Sequence, residues 1–191
     1  MLEPGDRSRE LEDLFHDLYD RYFHDVYNFV AYSISRKQDA EDLTQEVFVK
    51  AYRGLVNFRG DSELKTWLFA IARNTIRNWI VRKKPLPSTE DEYLWQLPET
   101  GSTPEDVLEE KEAMHKLQLA LDQIKDSYRT VIVLRGIHGF SVKETADIMG
   151  CSETSVKVTH FRALRKLRTL LAADPTFPLS LHPLPSKEVG T

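Results

Sequence analysis

The sequence predicts an all-α protein of two small helical domains joined by an acidic flexible linker, the C-terminal domain carrying a helix-turn-helix. Three observations carry that expectation. Apolar residues recur at three- and four-residue spacing on both sides of a proline-rich, acidic stretch, and no segment of useful length alternates apolar with polar residues as a strand would. The last two predicted helices also flank a glycine turn at the spacing of a DNA-reading hairpin.

Taken in order, Leu11, Leu14, Phe15, Leu18, Tyr22, Val26, Phe29 and Val30 form one apolar stripe, predicting a long amphipathic helix to Ile34. Asp39 is suited to cap a second helix, with Leu43, Val47 and Val49 to Tyr52 as its buried stripe. Asn57 to Ser62 has turn chemistry around an aromatic, and a third helix is expected from about Glu63 to Val81. Residues 1–84 therefore read as one three-helix unit. Residues 85–103 hold Pro85, Pro87 and Pro98 among many acids without helical period, and read as the linker.

In the second domain, residues 104–173, Thr103-Pro104-Glu105-Asp106 joins a cap, a first-turn proline and acids, so a helix is expected from there to about Ile124. A further helix is expected over Ser127 to Ile137. Its β-prone run Thr130 to Leu134 is assigned to a buried helix on the strength of its helical flanks. Two more follow near Val142 to Met149 and Glu153 to Leu171. The tail, residues 174–191, contains four of the nine prolines and is expected to be disordered or loosely docked.

Charge narrows the function classes. The chain of 191 residues carries a net charge of -4, but the sign alternates along it. Residues 1–49 carry -7, residues 50–84 carry +7, residues 85–112 carry -8 and residues 113–173 carry +5. Two basic segments on two domains suggest two contacts with a polyanion, against the alternative of merely solvated charged faces. A single cysteine, Cys151, excludes a disulfide framework and a multi-cysteine zinc site. Met1 to Glu10 lacks an apolar signal core and no stretch is long enough to span a bilayer, so a reducing cytoplasm and no direct membrane insertion are expected.

In the hairpin, Ala146 is the small residue where two helices cross, Gly150 makes the turn, Val156 anchors the second helix, and Ser152 is placed to cap it. Val156, His160, Ala163, Leu164, Leu167 and Leu171 share one side of that helix. Thr154, Val158, Phe161, Arg162, Arg165 and Thr169 share the other, flanked by Lys157 and Lys166. Arg162 and Arg165 suit guanine edges or phosphates, and the two lysines suit backbone phosphate.

In the first domain, Glu41, Asp42, Gln45 and Glu46 share a helical face, and the loop Phe58-Arg59-Gly60-Asp61-Ser62 leads to Lys65-Thr66-Trp67-Leu68, Ile71-Ala72-Arg73-Asn74 and Arg82-Lys83-Lys84. In this order, with the acidic linker and hairpin behind them, these motifs resemble the extracytoplasmic-function subfamily of RNA polymerase sigma factors, over about Leu14 to Leu171. The resemblance implies a bacterial transcription initiation factor that binds core RNA polymerase, directs it to a two-element promoter and helps open the minus-ten DNA.

The resemblance also implies roles. Glu41, Asp42, Gln45 and Glu46 would dock on the clamp helices of the polymerase largest subunit, with the flap as a further contact. Phe58, Arg59, Asp61, Ser62, Trp67, Arg73, Asn74, Arg77, Asn78, Arg82, Lys83 and Lys84 would serve the minus-ten element, Trp67 fitting either packing or DNA contact. Ser152, Thr154, Lys157, Val158, Phe161, Arg162, Arg165 and Lys166 would read the minus-thirty-five duplex. The partners implied are the polymerase, promoter DNA as duplex and single strand, and an anti-sigma factor.

Two rival readings remain. Glu112 and His115 have a helical metal-ligand spacing, but a di-metal bundle needs a second copy and more carboxylates, so no metal, cofactor or catalytic residue is expected. A stand-alone helix-turn-helix regulator would use the same C-terminal module, and it predicts operator binding without polymerase.

Overall fold

The structure, a computed structural model, describes residues 4–34, 37–82 and 104–173; the expected linker, the tail, Lys83 and Lys84 lie outside the described residues. Helix α1 spans Pro4–Ile34, α2 Lys37–Leu55 and α3 Leu64–Arg82. Beyond the linker come α4 (Pro104–Asp122), α5 (Asp126–Ile132), α6 (Val142–Met149) and α7 (Glu153–Ala172). Among the described residues there is no strand.

Helices α1 to α3 form one helical unit because each presents a single apolar stripe to the others. Leu18, Val26, Phe29 and Val30 of α1 meet Ala40, Leu43, Val47 and Ala51 of α2 and Leu68, Phe69, Ala72 and Ile76 of α3, all buried. Two expectations need correction here. Val49 and Tyr52 are both 49% exposed and Leu14 is 39% exposed, so none belongs to the buried stripe. The physical reason is angular. The buried series on α2 steps from Leu43 to Val47 to Ala51, and at 100° per residue positions 49 and 52 turn toward solvent. Helix α1 also begins earlier than its apolar stripe, at Pro4, a residue suited to a first helical turn.

In the second unit Leu121, Val131, Val133, Leu134, Ile148, Val156 and Ala163 are fully or almost fully buried. The β-prone run at Thr130 is helical. Beyond Ile132 the helix loosens into a π-helical turn, Val133–Ile137, in which the His138 amide reaches back to the Val133 carbonyl at 3.0 Å. Gly139 follows at φ 68°, a left-handed conformation that a side chain would strain. Together the wide turn and the glycine aim His138 and Phe140 back at the first unit.

The two units pack against each other, α6 on α3 and α5 on α1, and their buried side chains form one continuous cluster. Phe69 of α3 meets Phe140 edge to face, with ring centroids 4.8 Å apart. Arg129 of α5 crosses the seam to the end of α1, donating from Nη1 to the Ser33 carbonyl at 2.8 Å.

Candidate nucleic-acid interface

The helix-turn-helix is built from caps and one left-handed residue. Ser141 starts α6 through a reciprocal capping box: its hydroxyl accepts from the Glu144 amide at 3.1 Å, and its own amide donates to the Glu144 carboxylate at 2.7 Å. The Ser141 side chain beside the carboxylate first, then the bond from the Ser141 amide, hold the Glu144 carboxyl below its ordinary pKa, with burial opposing them. Gly150 ends α6 at φ 63°, and the Cys151 amide then donates to the Ala146 carbonyl at 3.0 Å. Ser152 opens α7 by accepting from the Ser155 amide at 3.2 Å.

Burial then sorts α7 into two faces. Val156, Ala163 and Leu167 are buried, while His160, Leu164 and Leu171 are half-buried at the edge. Burial, with Arg135 nearby, lowers the pKa of His160 and makes it a packed imidazole. Ser152, Thr154, Lys157, Val158, Phe161, Arg162, Arg165 and Lys166, the eight residues expected to face DNA, are all exposed, Ser152 at the N-cap and the other seven on α7. Phe161 is 69% exposed, which is unusual for a phenylalanine and leaves an apolar group among cations. Four cations with an aromatic on one helical face can neutralise phosphates and touch base edges in a major groove.

The first unit offers a different surface. Phe58 packs on Trp67 with ring centroids 5.1 Å apart, and the Trp67 ring also closes on Gly54 of α2, where a Cβ would meet it at 3.0 Å. Trp67 is thus wedged, half-buried, between the end of α2 and the loop, and Phe58 is half-buried on it. Arg59 and Asp61 are exposed, Ser62 half-buried. Asn74, Arg77, Asn78 and Arg82 lie exposed along α3, where Arg82 Nε donates to the Asn78 carbonyl at 3.1 Å. Arg73 donates to the Asn74 side-chain oxygen at 3.2 Å. Burial and the neighbouring Arg77 lower the Arg73 pKa, against a smaller opposing influence of Cys151 in the hairpin turn. That side chain therefore lies toward the seam between the units.

On α2, Glu41, Asp42 and Gln45 are exposed together, but Glu46 is drawn aside. Its carboxylate pairs with Lys50 at 2.7 Å and approaches Arg82 at 4.0 Å, while Lys50 donates to Thr75 of α3 at 3.1 Å. Spacing alone put all four on one face. What it lacked was the pairing of Glu46 with Lys50 one turn on, an ion pair that Arg82 of α3 borders. Burial first, and the negative charge of Glu41 second, raise the pKa of Tyr27. Spacing also missed Arg129, whose only signal was a cation inside an apolar run.

The chain is also similar to known proteins. Residues 18–85 match the family description Sigma-70 region 2, and residues 114–167 match Sigma-70, region 4. The first match runs from the middle of α1 past the end of α3, and the second from within α4 through the hairpin into α7. The chain belongs to the extracytoplasmic-function sigma factors of the sigma-70 family. This sigma factor is 35% identical to the ECF RNA polymerase sigma factor SigX of Bacillus subtilis, over 83% of this chain and 84% of that protein. It is 35% identical to the ECF RNA polymerase sigma-E factor of Escherichia coli K12, over 75% of this chain and 78% of the relative. Among solved structures it is similar to the sigma factor RpoE in complex with the anti-sigma factor NepR from Bartonella quintana, with a TM-score of 0.67 and 25% identity, covering 84% of this chain and 98% of that one. It is also similar to CnrH in complex with the cytosolic domain of CnrY, with a TM-score of 0.63 and 27% identity, covering 85% and 90% of the two chains. A sigma factor serves RNA polymerase in transcription initiation, and its two domains imply binding of polymerase and promoter DNA. The stand-alone regulator is not favoured, because it leaves region 2 without a purpose. Among the described residues no helix is long and apolar enough to cross a membrane.

Proposed function

We propose that this sigma factor docks on the clamp helices of the polymerase largest subunit through Glu41, Asp42 and Gln45, with the flap as a second contact. It reads the minus-thirty-five duplex with α7 and holds the minus-ten strand with α3 and its preceding loop. The observation that carries this reading is the separation of charge between exposed faces: carboxylates on α2, cations on α3 and α7. Carboxylates meeting basic helices gain charge-assisted hydrogen bonds. An exposed basic helix face with a capped N-terminus fits a major groove.

Asn74, Arg77, Asn78 and Arg82 supply donors for a displaced strand, Lys83 and Lys84 add cations beyond them, and Arg59, Asp61 and Ser62 offer polar groups on the loop. Phe58 and Trp67 brace that loop against Gly54, so their part is to set its shape. Glu46 orients α2 against α3 through Lys50. The protein works in the cytoplasm, where the polymerase is. Its chemistry is binding rather than turnover, without a metal or cofactor, and it takes an anti-sigma partner as the solved neighbours do.

The docking assignment is tested by charge reversal. Glu41→Arg with Asp42→Arg should cut affinity for core polymerase by at least about tenfold, equivalent to about 1.4 kcal/mol, with helical circular dichroism unchanged. Unaltered core affinity in that variant removes the acidic face from the interface.

A further inference from the structure

Along the junction of α1 and α2 the surface of the first unit is aromatic. Phe15 packs edge to face on Tyr52 with ring centroids 5.0 Å apart, and Tyr19 does the same on Phe48 at 4.8 Å. Phe23 extends the row from Tyr19 at 5.0 Å. Tyr19 and Tyr52 are exposed, as are Val49 and Val56, one turn before and one turn after Tyr52. Rings from two helices thus form a strip whose outer edge is apolar and in water. None of these side chains belongs to either promoter reader. The exposed carboxylates Asp13, Asp17 and Asp20 of α1 repel a polyanion, which argues against the tyrosines as a platform for bases.

The chain carries a segment of matching chemistry. Residues 174–191 hold Phe177, Leu179, Leu181 and Leu184 among Pro175, Pro178, Pro183 and Pro185. Prolines at this density favour polyproline II, and segments of that kind are recognised by surfaces lined with aromatic rings. The reach is sufficient. The segment departs from Ala173 at the end of α7, which packs on α4, and Met114 of α4 accepts a hydrogen bond from Tyr32 of α1 at 3.1 Å. Tyr19 stands about 20 Å from Tyr32 along α1. Leu184 can extend up to ~34 Å beyond Ala173 at about 3.1 Å per residue. Tethering also gives the segment an effective concentration of roughly millimolar order, which favours it over a second copy of the chain.

We propose that residues 174–191 fold back on the aromatic strip, setting Phe177, Leu181 and Leu184 against Tyr19, Tyr52 and Val49, and shield the docking face of α2 until core polymerase displaces them. Gln45, Val49, Tyr52 and Val56 follow one another at three- and four-residue steps, so the strip continues the face that carries Glu41 and Asp42. A segment seated on Val49 and Tyr52 obstructs a basic helix approaching Gln45. The shielding rests on the reading of α2 as the polymerase-docking helix, whereas the contact itself is measurable without polymerase.

The test places a spin label at Ser180→Cys of the full chain, in a Cys151→Ser background, and reads amide NMR signals. Amides of residues 15–23 and 48–56 should broaden in the free chain and should recover in Phe177→Ser with Leu181→Ser, whose changes leave α1 and α2 untouched. Mixing the spin-labelled chain with isotope-labelled chain lacking the spin label separates the two occupants. Broadening carried between molecules assigns the strip to a second copy and overturns the proposal, as does broadening that never reaches α1 and α2. Without the label, the same double variant should bind core polymerase at least about threefold more tightly, because the face is then open in every molecule. Affinity equal to that of the wild type overturns the shielding. A wild-type chain that never binds core polymerase would instead overturn the functional reading, and the free-chain spectra would still decide the contact.

Discussion

Arg129 bonds the Ser33 carbonyl, 96 residues earlier, through Nη1 at 2.8 Å. Its Nε donates to the Leu121 carbonyl at 3.0 Å, and Nη2 lies 3.4 Å from the Asp122 carboxylate. One guanidinium thus bonds carbonyls near the ends of α1 and α4, sharing that of Leu121 with the Ile124 amide at 3.3 Å. Arg129→Met should lower stability by about 2 to 4 kcal/mol, since it takes the buried cation from the Ser33 carbonyl and the Asp122 carboxylate. Arg129→Lys should recover little of it, because an ammonium lacks the planar fork. Urea midpoints of the three proteins check this.

The caps predict smaller, local losses. Ser141→Ala and Ser152→Ala should each cost about 1 kcal/mol. Gly150→Ala should cost about 1 to 2 kcal/mol, because its left-handed backbone suits glycine. Chemical denaturation gives these numbers directly. An unchanged midpoint in Ser141→Ala would contradict the capping box.

His138 makes the seam sensitive to acid. Burial first, and Lys65 to a lesser extent, press its pKa down from 6.5 to about 4, with Asp25 pulling the other way. The unfolded chain therefore binds a proton more readily than the folded one. The contribution of neutral His138 to folding stability is complete above pH 6.5 and is lost progressively as pH falls toward 4, by up to about 3 kcal/mol. Comparing wild type with His138→Leu between pH 4 and 7 isolates this contribution from the carboxylates. The variant should show a flatter dependence, and identical slopes would contradict it.

Arg165 is exposed in mid-helix on the free face of α7. Arg165→Ala should weaken use of the upstream element by about 1 to 3 kcal/mol and relax base preference at one position. Lys157→Ala should weaken binding evenly across sequences and reduce its salt dependence. Transcription from a panel of upstream-element variants distinguishes the two roles.

The hairpin was legible in the sequence because its determinants are local. Ala146, Gly150, Ser152 and Val156 lie within eleven positions, and each acts on a neighbour one to five residues away. The acidic face was legible only in part, since Glu46 is turned by Lys50 together with Arg82, 36 positions on. Val49 and Tyr52 were misplaced because a run of apolar letters outweighed the angular step of the helix. The seam was not legible at all. Arg129 and His138 lie in a segment with no motif, and their partners Ser33, Phe29 and Phe69 are chosen by the packing of whole helices rather than by spacing.

The measurement that bears most directly on the protein's role is transcription reconstituted from purified core polymerase, this chain and a library of promoters with random upstream and downstream elements. Transcripts should arise only with both proteins present, from templates sharing two separated motifs, and should vanish with Glu41→Arg and Asp42→Arg. Specific DNA binding of equal strength without the polymerase, or no transcript from any member of the library, would contradict it.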